Sequence, residues 1–381
     1  MRKDQSHTGL RTWIEIDRSA LEHNYATLRG LLAPQTLFMA VVKSNAYGHG
    51  LLDTAPVFAE LGADWLGVDS IVEAETLREL GVTKPLFVLG LTLPEKIPVA
   101  LEKNISLAIS SFDVLSAFSK MPPAKSSPAN RLKIHIKVDT GMHRQGFLLE
   151  QASELVAVLK YLEDRVEVEG LFTHFAAAKD PQSTTDTKKQ IEIFDKWRKI
   201  FADVGFRPIV HAAASGGAIV FPEAQFDMVR FGIAIYGLYP SAETEKFFKE
   251  KALLQPALSW KTLIGEVKSV PAGDRTGYDF TETFSRDSKI AVCPIGYWHG
   301  FPRALSGKGI VMVHGRPAKV LGRVSMDMIV IDVTDIPEVQ AFDEVTIIGP
   351  DAPVDKLAAL ADTSNYEFVT RINPLIKRII V

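Results

Sequence analysis

Cysteine is almost missing from these 381 residues: Cys293 is the only one. One thiol cannot close an intrachain disulfide, so the fold needs no oxidising compartment, and it cannot build a cysteine metal cluster. Neither sign of charge dominates, with 43 Lys and Arg against 46 Asp and Glu and a net charge of −3. That balance gives no footprint for a polyanion, which argues against nucleic acid as a partner. No uninterrupted apolar run is long enough to span a bilayer. The opening MRKDQSHTGLRTW lacks the apolar core of a secretory signal. These absences lead to the expectation of a cytoplasmic globular protein with no membrane partner.

What is present is apolar enough for a large core, at 46% hydrophobic residues. The length exceeds one ordinary core, so two domains are expected, at 1–250 and 251–381. In the first, short apolar runs alternate with helical patterns. Strands are expected at Leu37–Lys43, Trp65–Ser70, Pro85–Gly90, Ser106–Ser110, Leu132–Gly141, Val168–Phe175, Ile209–Ala213 and Val229–Gly237. Between the sixth and seventh, Ile191, Phe194, Trp197 and Phe201 recur at helical spacing. Met121–Asn130, rich in proline and serine, reads as a surface loop. Eight strand–helix units predict an α/β fold, a TIM-like (β/α)8 barrel. After about Lys251 strands follow one another with few helices, which predicts a mostly-β second domain.

Barrels of this kind carry their chemistry where the strands end. Most lysines are solvated surface charges, but Lys43 follows six apolar residues, "LFMAVV", and precedes the polar, glycine-containing "SNAYGHG". Partial burial at a barrel mouth lowers a lysine pKa and frees its amine as a nucleophile. The fifth strand ends on Lys137 and runs on to Arg144, the sixth ends on His174, and the seventh leads through His211 to Ser215-Gly216-Gly217. The eighth carries Arg230, then Gly232 and Ile233. The Ser-Gly-Gly turn resembles a phosphate-binding corner. Taken singly, His174 reads as a core histidine and the turn as an ordinary loop. Together, a nucleophilic lysine, a phosphate corner, a histidine and an arginine suit an aldehyde cofactor bearing a phosphate. Pyridoxal phosphate is the candidate.

At this point "AVVKSNAYGHG", "KVDTGMHRQGF", "GLFTHFA", "MVRFGIAIYGLYP", "PIGYWHG", "GRVSMDM" and "NYEFVTRINP" together resemble the bacterial alanine racemases, over nearly the whole chain. The resemblance implies a two-base interconversion of L- and D-alanine that supplies D-alanine for peptidoglycan. Lys43 would be the lysine joined to the cofactor and one base, and Tyr278 the other. Tyr47, Ser215, the backbone at Gly232 and Ile233, and Tyr366 would hold the phosphate. His174 would pack on the pyridine ring and Arg230 would face its nitrogen. Arg144 would touch the phenol oxygen of the cofactor and the substrate carboxylate. Lys137 matches a position that is carbamylated in some members. Met326 and Asp327 would contact substrate, while Tyr297, Arg303, Arg323 and Tyr366 would line the access channel. The resemblance also implies a homodimer with Tyr278 and Met326 supplied across the interface. Ala214 departs from the usual asparagine, and Trp298-His299 from small and acidic residues. Other readings are a racemase of another small amino acid such as serine, a decarboxylase on a similar barrel, and a pyridoxal-phosphate protein without turnover. The second domain, with Tyr278 and "GRVSMDM", argues against the last two.

Overall fold

The computed structural model describes residues 7–120, 131–182, 184–250 and 252–381; the expected loop Met121–Asn130 lies outside them. The chain forms two compact units that are interleaved in sequence rather than consecutive blocks. Glu22–Ser44 and Thr54–Gln255 form one; Asn45–Asp53 and Pro256–Val381 belong to the other, with the residues up to Leu21.

The N-terminal strand β1 (Thr12–Ile16) is the reason for part of that interleaving. It joins the sheet of the second unit, as described below. The first unit contains the strands β2 (Leu37–Val41), β3 (Trp65–Val68), β4 (Leu86–Val88) and β5 (Ile105–Ile109). They are followed by β6 (Leu132–Lys137), β7 (Val166–Phe172), β8 (Ile209–His211) and β9 (Met228–Phe231). All neighbours are parallel, in the order β9-β2-β3-β4-β5-β6-β7-β8. Between β8 and β9 the contact narrows to one parallel bridge, Ala214 with Arg230, where the Arg230 N–H donates to the Ala213 carbonyl at 3.1 Å. The result is a nearly closed eight-stranded barrel with helices between its strands.

Strands β3, β4 and β5 are buried along their whole length, as expected of parallel strands covered on both faces. The helix Ile71–Glu79 starts where the Ser70 hydroxyl accepts the Glu73 N–H, and it buries Ile71, Ala74 and Leu77. Gly81, at φ +89°, follows its end. The helix Thr185–Asp203 buries Phe194, Trp197 and Phe201, each contributing roughly 1.5–3 kcal/mol of apolar burial. Ile191, expected on the same face, is half-buried.

The second unit is mostly β. Its strands are β10 (Leu258–Leu263), β11 (Glu266–Val270), β12 (Arg275–Thr276), β13 (Glu282–Thr283) and β14 (Ser288–Cys293). Then come β15 (Ile310–Val313), β16 (Arg316–Leu321), β17 (Ile329–Asp332), β18 (Glu344–Ile348) and β19 (Arg378–Ile380). A nine-stranded sheet runs β11-β14-β17-β16-β15-β18-β10-β1-β19, and β12 pairs with β13 as a separate hairpin. Strand β1 lies antiparallel to β10 and parallel to β19. Burial alternates along β10, with Leu258, Trp260 and Thr262 inside. Among the described residues no helix is long and apolar enough to cross a membrane.

Candidate active site

Lys43 stands one residue beyond β2, and its amine lies 3.1 Å from Oδ1 of Asp69, the residue after β3. The chain then does something the sequence did not announce. Ser44, Asn45, Ala46 and Tyr47 all have positive φ, between 51° and 55°, so this turn is left-handed. Each L-residue in that conformation costs roughly 1–2 kcal/mol. Specific contacts offset the strain. Glu73 accepts the N–H groups of Ser44 at 2.7 Å and Asp69 at 2.8 Å. The Asn45 carbonyl accepts from Gly48 and Gly50, and its side chain accepts from Leu51 at 2.8 Å. The Arg378 guanidinium donates to the Gly48 carbonyl through two nitrogens, at 3.2 and 2.9 Å. Gly48, at φ +85°, also has no room for a side chain: a Cβ would stand 2.0 Å from the Val369 oxygen. Local strain over-determined in this way is characteristic of functional sites. The same packing sets the Tyr47 and Tyr366 rings 6.2 Å apart. Burial, then the neighbouring Tyr47, push the Tyr366 phenol well up, so it stays a protonated donor.

Around His174 the barrel gathers positive charge. Arg230 Nη2 donates to the carbonyls of Thr173 and Ala212, each at 2.8 Å, and lies 3.3 Å from His174 Nδ1. Its Nη1 donates to His211 Nδ1 at 2.8 Å. Burial lowers the His174 pKa to about 3, reinforced by the charges of Arg230, Arg144, Lys137 and Lys43. Burial also lowers Lys137 to about 8, with help from Arg144, Arg230 and Lys43 and against the pull of Asp139. The imidazole is therefore neutral, and a useful fraction of the Lys137 amine is unprotonated near neutral pH. Lys137 donates to Gln145 at 3.1 Å. The structure thus brings Lys43, Lys137, Arg144, His174 and Arg230 into one field. Arg144 is the exposed member.

Ser215 opens the short helix Ser215–Val220, and its buried hydroxyl accepts the N–H of Gly232 at 3.0 Å and of Ala234 at 3.4 Å. Ile233 opens the next turn, Ile233–Tyr236. Gly216 packs where a Cβ would come within 3.0 Å of the Ala178 oxygen. Ala214 offers no capping side chain and instead forms the backbone bridge to Arg230. This corner is built from backbone and one hydroxyl.

Of the residues singled out in the second unit, Tyr278, Tyr297, Arg303 and Met326 stand on exposed turns, Arg323 and Asp327 are half-buried, and Tyr366 is half-buried on the helix Asn365–Thr370. Tyr278 sits on the β12–β13 hairpin, after Gly277 at φ +80°, and is 67% exposed. Its neighbour Asp279, at φ +61°, pairs with Arg323 Nε at 2.8 Å. Met326 and Asp327 lie in the turn between β16 and β17. There the Ser325 carbonyl accepts the Tyr297 N–H and the Met326 carbonyl the Trp298 N–H, both at 3.0 Å. Arg303, on the turn Arg303–Leu305, is exposed.

Sequence reasoning missed Asp69 and Glu73, although Asp69 follows the end of a barrel strand just as Lys43 does, and that position was the available signal. It missed Gln190, which donates to the His174 carbonyl at 3.4 Å and accepts from Ala176 at 2.9 Å. It also missed His135 and Glu169.

Residues 16–240 match the family model of the alanine racemase N-terminal domain, and residues 257–380 that of the C-terminal domain. An alanine racemase of Methanococcus maripaludis is 40% identical over 96% of this chain and 98% of its own. One from Desulforamulus reducens is 39% identical over 97% and 98%. Among solved structures, alanine racemase from Bacillus anthracis with bound L-Ala-P has a TM-score of 0.89 at 34% identity, covering 97% of this chain and 95% of that one. The Clostridium difficile enzyme has a TM-score of 0.91 at 29% identity, with 98% and 96% covered. The chain belongs to the alanine racemase family, and its activity is that of an amino-acid racemase acting on alanine.

Proposed function

We propose that this racemase works with pyridoxal phosphate at the carboxyl ends of the barrel strands, and that Lys43 and Tyr278 are its two bases. The observation that carries the reading is the field of cations around a neutral His174. The donor set fits the group. Lys43 offers an amine to an aldehyde; the Ser215 corner with Gly232 and Ile233 suits a phosphate, for which the family resemblance also names the phenols of Tyr47 and Tyr366. Arg230 can only donate, so it keeps a facing ring nitrogen unprotonated. When bound, pyridoxal phosphate supplies an electron sink that makes the Cα proton of an amino acid removable.

Lys43 then holds or moves that proton at its Nζ on one face, and the phenol oxygen of Tyr278 does so on the other. Inversion follows when one group takes a proton and the other returns one. Each positioned acid–base group is worth about 10²–10⁴-fold in rate. Arg144 takes the substrate carboxylate, and Lys137, as a carbamate, orients Arg144. Met326 and Asp327 contact substrate; Tyr297, Arg303 and Arg323 line its access channel. Tyr278 acts across the interface of a homodimer, which the exposure of Tyr278, Phe280, Trp298, Met326 and Met328 supports. The cellular role is to supply D-alanine for peptidoglycan in the cytoplasm.

The test is optical rotation of L-alanine with purified protein and added cofactor, followed by borohydride reduction and peptide mass analysis. Rotation should decay to zero and the cofactor mass should appear on the Lys43 peptide, and Lys43→Ala should lose both. Bound cofactor with a flat trace would move the assignment to another small amino acid such as serine, or to a protein without turnover.

A further inference from the structure

The barrel interior carries a polar line that the proposed mechanism does not use. Arg230 Nη1 meets His211 Nδ1 at 2.8 Å. His211 Nε2 meets His135 Nδ1 at 2.9 Å, and His135 Nε2 meets Glu169 Oε2 at 3.2 Å. Ser106 donates to that same oxygen, and Lys133 lies 3.3 Å from Oε1. Both imidazoles and Arg230 are buried. The line starts at Arg230 and at His211, the last residue of β8. It ends at Ser106 and Lys133, each the second residue of its strand. It therefore runs from the carboxyl end of the barrel towards the amino end, through an interior normally filled by aliphatic layers.

Its direction is fixed by chemistry. A guanidinium has no acceptor, so His211 Nδ1 must be bare and its proton must sit on Nε2. That N–H can bond only to a bare His135 Nδ1, which leaves the His135 proton on Nε2, aimed at a carboxylate. Burial, with the neighbouring cations, lowers both imidazoles, so both are neutral. Burial would raise Glu169, but the hydrogen bond from His135, the Ser106 hydroxyl and the Lys133 charge outweigh it and hold the group ionised.

The surroundings are shaped for this line. Phe172 stacks on His211 at 4.9 Å and 2°, and Phe87 stacks on His135 at 4.2 Å and 26°. Gly170 faces His135 at the β6–β7 bulge, and a Cβ there would stand 2.1 Å from His135 Nδ1. Only glycine leaves space for that ring.

We propose that His211, His135 and Glu169 are positioning residues: a one-way hydrogen-bond relay, anchored on the Glu169 carboxylate, that fixes the tautomer of His211 and thereby the aim of the Arg230 guanidinium. Removing the last acceptor reverses the relay. His135 can then move its proton to Nδ1, where it opposes the His211 N–H. His211 must answer by placing a proton against Arg230. The proposal deepens the assignment above, because Arg230 matters to the reaction only if it faces the cofactor ring.

The test uses the full-length holoenzyme labelled with [15N]histidine and reads the ring nitrogens by NMR. Wild type should show His211 and His135 as neutral Nε2–H tautomers; an Nδ1–H on either overturns the relay. Glu169→Gln keeps an oxygen acceptor and should keep both tautomers. Glu169→Leu should mix the tautomers of His211, which Glu169 does not touch. It should also lower kcat about ten-fold, the scale of one lost hydrogen bond, with KM for alanine unchanged. Wild-type tautomers and kcat in Glu169→Leu would overturn the proposal; if that variant does not fold, the wild-type spectrum still decides. Failure of cofactor trapping on Lys43 would sink the proposed function and leave the relay standing. A wrong tautomer would do the reverse.

Discussion

Arg230, Ser215 and Lys137 of the barrel and the turns around Tyr278 and Met326 of the β unit present residues of the proposed site in opposite states. In the barrel, Arg230 and Ser215 are each 3% exposed and Lys137 is 6% exposed. Their donors are already aimed by backbone carbonyls, by each other and by the His211 line. In the β unit, Tyr278 is 67% exposed and Met326 55%, with Tyr297, Trp298 and Met328 also open. Backbone bonds fix the turns that carry them, but nothing covers their side chains within the described residues. On the proposed reading, the difference is between a half-site that is preorganised at folding and one whose side chains stand ready for a second surface. Preorganised donors hold charge without reorganising, whereas apolar side chains grouped in the open mark an interface.

The sharpest way to break that contrast is to disable one half in each of two chains. Tyr278→Phe should lose about 10²–10⁴-fold in kcat, with pyridoxal phosphate still bound. Mixed with Lys43→Ala under conditions that exchange subunits, it should recover up to about a quarter of wild-type activity, because half the dimers then hold one intact site. The coupled assay for D-alanine reads this directly. No recovery after confirmed exchange would mean that Tyr278 serves the chain it belongs to.

A smaller effect tests how far the barrel half is complete on its own. The amine of Lys137, lowered to about 8 by burial and by Arg144 and Arg230, adds carbon dioxide only when unprotonated. Protein stripped of carbon dioxide at mildly acidic pH should regain activity on adding bicarbonate, and faster at pH 8.5 than at pH 7, where only about a tenth of the amine is neutral. Mass analysis should find the carbamate on Lys137, and Lys137→Ala should not respond. Recovery that is independent of bicarbonate would remove the carbamate from the account and leave Lys137 as a plain cation.

The barrel was legible in the sequence because β2 to β9 are apolar runs of strand length followed by helical spacing, each read mainly from neighbours in the chain. Strand β1 was not. TWIEI is five residues long, and its partners β10 and β19 lie in the last third of the chain. Lys43, His174, Arg230 and Ser215 could be found because strand ends are where a barrel puts its chemistry. The left-handed turn after Lys43 could not, since Ala46 and Tyr47 have no preference for positive φ; Glu73 fixes its start at Ser44, and Arg378 and Val369 close on Gly48. Glu167 and Glu169 look alike in VEVEGLF. What separates them is Ser106, Lys133 and His135 on neighbouring strands, and the bulge at Ile134 and His135 that brings them together.

The most gradual expected effect is acid sensitivity, which should be greater in the barrel. His135, His174 and His211 are lowered there by burial, and in the β unit burial lowers His49 to about 4 and His299 less. A group lowered in the folded state binds fewer protons there than in the unfolded chain. Its contribution is fully present above the unfolded value of about 6.5 and is lost as pH falls towards the folded value. Each such imidazole adds a slope of up to about 1.4 kcal/mol per pH unit in that window. Three in one unit make the barrel the first to loosen as pH drops from 6.5 to 5. Hydrogen exchange should show barrel amides losing protection over that range ahead of those in the β10–β18 pair, and urea unfolding at pH 6 should take up protons. Equal loss in both units would mean that the three barrel imidazoles do not set the acid limit. Flat protection from pH 7 to 5 would mean that they are not held neutral, and the contrast between a finished buried half and an open one would lose its electrostatic basis.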